Sequence, residues 1–151
     1  MNILTIYDSV YGNTKLIAKA IDSVFANHHH NLSKIDQVSF DDLKDIDLLV
    51  IGCPTYGGQP TEKTKSFISS LKLSNFKFAC FDTSLDPKTS GFFLKLLLNI
   101  IGNASSKISA SLLAKGLKRV GKPVSFIVTS KTGPLRSNQI KLAKSWADKL
   151  I

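Results

Sequence analysis

Short apolar runs alternate along this chain with stretches in which apolar residues recur every three or four positions. Ile3, Leu4 and Ile6 form a near-continuous apolar run of the kind found in strands covered on both faces. Asp47–Gly52 (DLLVIG), Phe76–Phe81 and Val124–Val128 read the same way, and DLLVIG has the character of a central strand. Ser33–Val38 is weaker, and its poor hydrophobic pattern predicts a strand at a sheet edge. Between these runs the period changes to that of a helix. Thr14–Ala26 puts Ile17, Ala20, Ile21 and Val24 on one face, and a helix starting near Thr61-Glu62 turns Phe67, Ile68 and Leu71 inward. An amphipathic helix is expected near Ser105–Val120. A last one, about Ser137–Leu150, has Ile140, Ala143, Ala147 and Leu150 inside, with Trp146 as a packing residue. Strands alternating with helices at this spacing predict an α/β fold, a parallel sheet with helices on both sides. Right-handed crossovers leave few topologies for it.

The 151 residues suit one domain, 1–151, with 43% hydrophobic and 21% charged residues as in an ordinary globular protein. Met1–Tyr7 has neither the basic start nor the length of a secretory leader, and no segment is long enough to span a bilayer. Cys53 and Cys80 form neither a disulfide framework nor a metal pattern and read as structural, so a reducing cytoplasm is the expected compartment. His28-His29-His30 reads as an exposed loop at a helix end, because adjacent side chains on a turn point apart and no further ligand is near in sequence. The net charge of +9 changes the picture more. Its lysines are scattered over most helices rather than interleaved with aromatics in one patch, which argues for a diffuse positive field and against a nucleic-acid site. Gly91–Gly102 (GFFLKLLLNIIG) stands apart as almost wholly apolar. Two readings stay open for it: a buried helical turn over the sheet, or an exposed element, Phe92–Ile101, that docks a partner or lies on a membrane.

The candidate chemistry lies where strands run into turns. Ser9-Val10-Tyr11-Gly12-Asn13-Thr14 joins the first strand to the first helix. The first amides of a helix are unpaired and carry partial positive charge, so such a turn can hold an anion. Ser9, Thr14 and Asn13 add side-chain donors, and Gly12 lets the backbone close around a phosphate. The turn lacks the glycine-to-lysine spacing of nucleotide hydrolases and has one of the three glycines of the dinucleotide fingerprint. It suits a single terminal phosphate held without a formal counter-charge. The second loop, Cys53-Pro54-Thr55-Tyr56-Gly57-Gly58-Gln59-Pro60, is fixed by two prolines and two glycines and holds Tyr56 where a flat ring could stack. The third, Asp82-Thr83-Ser84-Leu85-Asp86-Pro87, is a polar turn after the third strong strand. In open parallel sheets ligands bind outside the carboxyl ends of the strands, and all three loops leave those ends.

Taken together, the three loops in this order resemble those of the flavodoxin family, over nearly the whole chain. Ser9–Thr14 is similar to the family's phosphate loop, which ends in Gly-Asn-Thr; Cys53–Gly58 resembles the loop whose aromatic stacks on the flavin. Phe81-Asp82-Thr83 and Gly133-Pro134-Leu135 resemble a subset of small flavodoxin-like proteins, although Ser84 stands where that subset often has arginine. The resemblance implies a doubly wound, five-stranded parallel sheet of order 2-1-3-4-5 in a three-layer sandwich. It also implies FMN as cofactor, held by Ser9, Val10, Tyr11, Gly12, Asn13 and Thr14 at the phosphate. Pro54, Thr55, Tyr56, Gly57, Gly58, Asp82, Thr83 and Ser84 would hold the ring. The implied function is electron transfer between redox partner proteins, here with acidic surfaces, as a monomer or small homo-oligomer. An FMN-dependent NAD(P)H:quinone reductase, a protoporphyrinogen-oxidase-type enzyme, and an interaction protein that has lost FMN are the alternatives. Ordinary flavodoxins are acidic. A positive field favours the negative charge that a reduced flavin acquires, so a less negative second reduction potential is expected.

Overall fold

A computed structural model of the chain describes residues 1–72, 75–86 and 102–151. Gly91–Ile101, and with it the question of Phe92–Ile101, lies outside the described residues. Among the described residues six strands and four α-helices follow one another as β1 (Asn2–Tyr7), α1 (Asn13–Asp22), β2 (His29–Lys34), β3 (Leu48–Pro54), α2 (Glu62–Ser70), β4 (Lys77–Leu85), α3 (Ala104–Ala114), β5 (Lys118–Arg119), β6 (Val124–Val128) and α4 (Gln139–Ala147). The order across the sheet is β2-β1-β3-β4-β5, with β6 also on β4, and every pairing is parallel.

The fifth position of the expected sheet is thus filled in two pieces. Lys118 and Arg119 pair Lys77 and Phe78, and Val124 resumes opposite Phe81, so two extra residues are taken up between them. Gly121, at φ +67, sits in that break and supplies a backbone that other residues adopt at a cost.

Alternation along the strands divides the core in two. Ile3, Val50 and Phe81 face α1 and α4, meeting Ile17, Ile21, Ala143 and Ala147. Leu4, Ile51 and Cys80 face α2 and α3, meeting Ile68, Ile108 and Leu112. This is the three-layer arrangement the resemblance implied. Trp146 packs as expected, edge-on against Phe81 and Phe126 at centroid distances of 6.2 and 6.4 Å.

Several boundaries differ from the sequence reading, each for a visible reason. His29 and His30 belong to an exposed edge strand rather than a loop, because β2 pairs residue for residue with β1 from Asn2 onward. The expected strand at Ser33–Val38 therefore starts and ends earlier. The helix expected to reach Val120 stops at Ala114. There Gly116, at φ +85, donates to the Leu113 carbonyl and Leu117 donates to that of Leu112. Ile140 is exposed rather than buried, and Gln139 takes the inner position beside it, its Oε1 accepting the Ile127 N–H at 2.8 Å. The third loop is mostly strand: β4 runs on to Leu85 because β6 pairs Phe81–Leu85.

Candidate functional site

The carboxyl ends of β1, β3, β4 and β6 open into one shallow cleft of about 60 Å³. Ser9, Tyr11, Asn13, Thr14, Pro54, Thr55, Tyr56, Thr83 and Ser84 line it, together with Leu85, Val128 and Lys131. A larger groove of about 440 Å³ lies between α2 and α3. Position and chemistry, not size, single out the first.

The wall at β1 is a nest. Gly12, at φ +86, is the residue before α1, and a side chain built on it would meet nothing within 4 Å, so the space in front of the helix is open. Ser9 shapes the loop rather than reaching out of it: its Oγ accepts from the amides of Gly12 at 3.1 Å and Lys15 at 3.3 Å. The amides of Val10, Tyr11, Asn13 and Thr14 make no hydrogen bond among the described residues. Four unpaired donors at a positive helix end are an anion's binding partners. Thr14 is otherwise engaged, its buried hydroxyl bonded to that of Thr83 at 2.8 Å, which ties the first loop to β4.

The wall at β3 is a tight turn. Tyr56 and Gln59 exchange both backbone hydrogen bonds, at 3.1 and 2.9 Å, across Gly57 and Gly58. Both glycines have positive φ, +55 and +73, as a two-residue hairpin loop of this kind requires. Tyr56 is thereby held at the rim, 36% exposed. Burial of part of its ring, then Tyr11 and Asp8 nearby, raise its phenol above the ordinary value of 10.0.

Beneath the cleft the polar groups are structural. Thr55 Oγ1 accepts the Ala104 N–H at 3.0 Å, and Asp82 Oδ2 accepts the Ser105 N–H and the Ser125 hydroxyl, each at 3.0 Å. Two side chains from neighbouring strands therefore satisfy the first amides of α3. Asp82 Oδ1 has no partner among the described residues, and burial raises this carboxyl above 3.8 despite its donors. Cys53 is buried too, its thiol pushed up to about 12 chiefly by desolvation, which leaves it a small apolar side chain and no redox group.

Of the residues expected at the site, nine line the cleft. Val10 is exposed outside its lining, Gly12, Gly57 and Gly58 shape its turns, and Asp82 is buried beneath. Sequence reasoning missed Leu85, Val128 and Lys131. A signal was available, since Thr129-Ser130 follows a strand end just as the other three loops do. No group of metal ligands occurs among the described residues, the three histidines included.

The fold is that of known flavodoxins. Oxidised flavodoxin 2 from Bacillus cereus matches with a TM-score of 0.75 at 18% identity, covering 99% of this chain and 97% of that one. The flavodoxin of Streptococcus pneumoniae TIGR4 matches with a TM-score of 0.74 at 15% identity and the same coverage. Rubredoxin oxygen:oxidoreductase from Desulfovibrio gigas matches with 0.75 at 14%, covering 99% of this chain but 35% of that one. At these identities the likeness establishes architecture alone. No curated protein matches the sequence. The flavodoxin family model, however, matches residues 5–146, nearly the whole length. On that match, and with the sheet order and strand-end loops in agreement, this chain belongs to the flavodoxin family.

Proposed function

We propose that the cleft binds FMN and that the protein carries electrons between partner proteins, as is typical of the family. One juxtaposition carries this reading: Tyr11, Asn13 and Thr14, whose amides at the start of α1 are unpaired, line the same cleft as a tyrosine fixed on a glycine turn. The residues fit the group. Val10, Tyr11, Asn13 and Thr14 would hold its phosphate through their amides, with open space in front of Gly12 to admit it. Tyr56 would stack on the ring, and the strand ends at Pro54-Thr55 and Thr83-Ser84 would meet its edge. When bound, the flavin supplies the redox chemistry, while the chain binds it, orients it and sets its electrostatic surroundings.

The rim supports a protein as the partner. Val10, Tyr11, Tyr56 and Leu85 stand exposed around the opening, and no carboxylate lines the cleft. With a net charge of +9 the complementary partner is acidic.

An FMN titration followed by absorbance and flavin fluorescence tests the reading. Retained blue and near-ultraviolet bands after dialysis, with quenched fluorescence, are expected. Tyr56→Leu should weaken binding by up to about tenfold and Tyr56→Phe far less, the scale of an aromatic contact. Protein left colourless by dialysis, with no affinity for FMN, overturns it. Absence of NAD(P)H oxidation with a quinone acceptor separates the carrier from the reductase.

A further inference from the structure

The loop after β6 brings a charge to a site whose other lining residues are neutral. Ser130–Gly133 is a closed turn: the Gly133 N–H donates to the Ser130 carbonyl at 3.0 Å, with Lys131 and Thr132 between them. Its base is held by the Thr129 N–H on the Pro134 carbonyl at 2.9 Å. Its tip is fastened to the first helix, because Asn13 Nδ2 donates to the Thr132 carbonyl at 3.1 Å. Contact there is close enough that a Cβ on Gly133 would lie 2.6 Å from the Asn13 side chain. Lys131 is thus carried on a short, hydrogen-bonded turn pinned to the residue that opens α1, and it lines the same cleft as Ser9, Asn13 and Thr14.

The charge is uncommitted. All eleven carboxylate side chains of the protein fall within the described residues, and none forms an ion pair with Lys131. Asp8, the carboxylate beside the first loop, is buried and accepts the Ser9 N–H, while Asp86 at the end of β4 is paired with Arg136 at 2.6 Å. A lysine without an ion pair that lines the same cleft as unpaired amides at a helix N-terminus can supply a composite anion site, in which charge adds to dipole.

We propose that Lys131 is the counter-charge for the terminal phosphomonoester of the ligand, and that it sets the preference for the phosphorylated flavin over the unphosphorylated one. The proposal rests on the flavin reading above. It amends the expectation of a phosphate held by neutral groups alone: here the neutral nest shapes the site and the lysine supplies long-range attraction.

The experiment compares FMN with riboflavin, which shares the ring and lacks the phosphate, on the full chain. Lys131→Gln should weaken FMN about five- to tenfold at low ionic strength, the scale of one partly screened charge-assisted contact. It should leave riboflavin affinity unchanged, and Lys131→Arg should restore FMN affinity. For the wild type, the ratio of FMN to riboflavin affinity should fall as salt is added. It should fall again as the pH drops through about 6, where a phosphomonoester loses its second charge. An unchanged FMN affinity in Lys131→Gln, or equal loss for both flavins, overturns the proposal while leaving the flavin site standing. A wild type that binds neither flavin overturns the flavin reading and this proposal with it.

Discussion

Asp82 is a carboxyl that folding places under the cleft rather than in it. The sequence alone puts it in a polar turn with Thr83 and Ser84; pairing with Cys53 on one side and Ser125 on the other keeps it in strand and out of solvent. Its donors favour the charged form, and burial outweighs them, so its folded pKa lies above the ordinary 3.8. A group raised on folding contributes stability that is fully present below its unfolded pKa and is lost as pH climbs through the folded one. Wild-type stability relative to Asp82→Asn should therefore grow as the pH falls from neutral toward the acid range. Denaturation curves across pH check this, and a difference that stays flat would mean that Asp82 titrates in the native state as it does in the unfolded chain. Residue chemistry in the first two loops was legible from spacing alone, since Ser9–Thr14 and Pro54–Gly58 are local patterns. Asp82 was not, because its burial depends on a strand more than forty residues further on.

Among the elements, β3 and β4 show how closely the centre of the sheet is packed. Gly52 lies opposite Phe81 in the register, and the Phe81 ring covers it: a Cβ there would stand 2.0 Å from the ring. The ring cannot step aside cheaply, because Phe126 and Trp146 meet it edge-on from the α4 side. Gly52→Ala should destabilise the protein by about 1–3 kcal/mol or more, the usual cost of forcing volume into a filled core. Thermal unfolding reads it directly; an unchanged Tm would show that the three rings can rearrange. Strand and helix existence was readable from hydrophobic period, and boundaries were not where tertiary pairing decided them. β2 starts in a run of histidines with little strand propensity because β1 offers it a complete parallel partner. Gln139 displaces Ile140 from the inner face because only its amide can satisfy the Ile127 N–H.

For the whole molecule, charge is the feature that distinguishes this flavodoxin. Twenty basic residues face eleven acidic ones, and none of the acidic ones lines the cleft. A positive surrounding favours added negative charge at the ring, so the second reduction potential should be less negative than in an acidic flavodoxin. Raising the ionic strength should move it toward more negative values by screening. A redox titration at two salt concentrations decides this, and a very low potential indifferent to salt would refute it. The split fifth strand has a different consequence, for behaviour in concentrated solution. An open sheet can recruit a foreign strand along either border. Here one border is interrupted between Arg119 and Val124 by a left-handed glycine and Pro123, which has no N–H to offer. The opposite border carries His29, His30 and Lys34 on a polar strand without a buried residue. Among the described residues neither side presents the long, flat, apolar ladder on which intermolecular β-aggregation is templated.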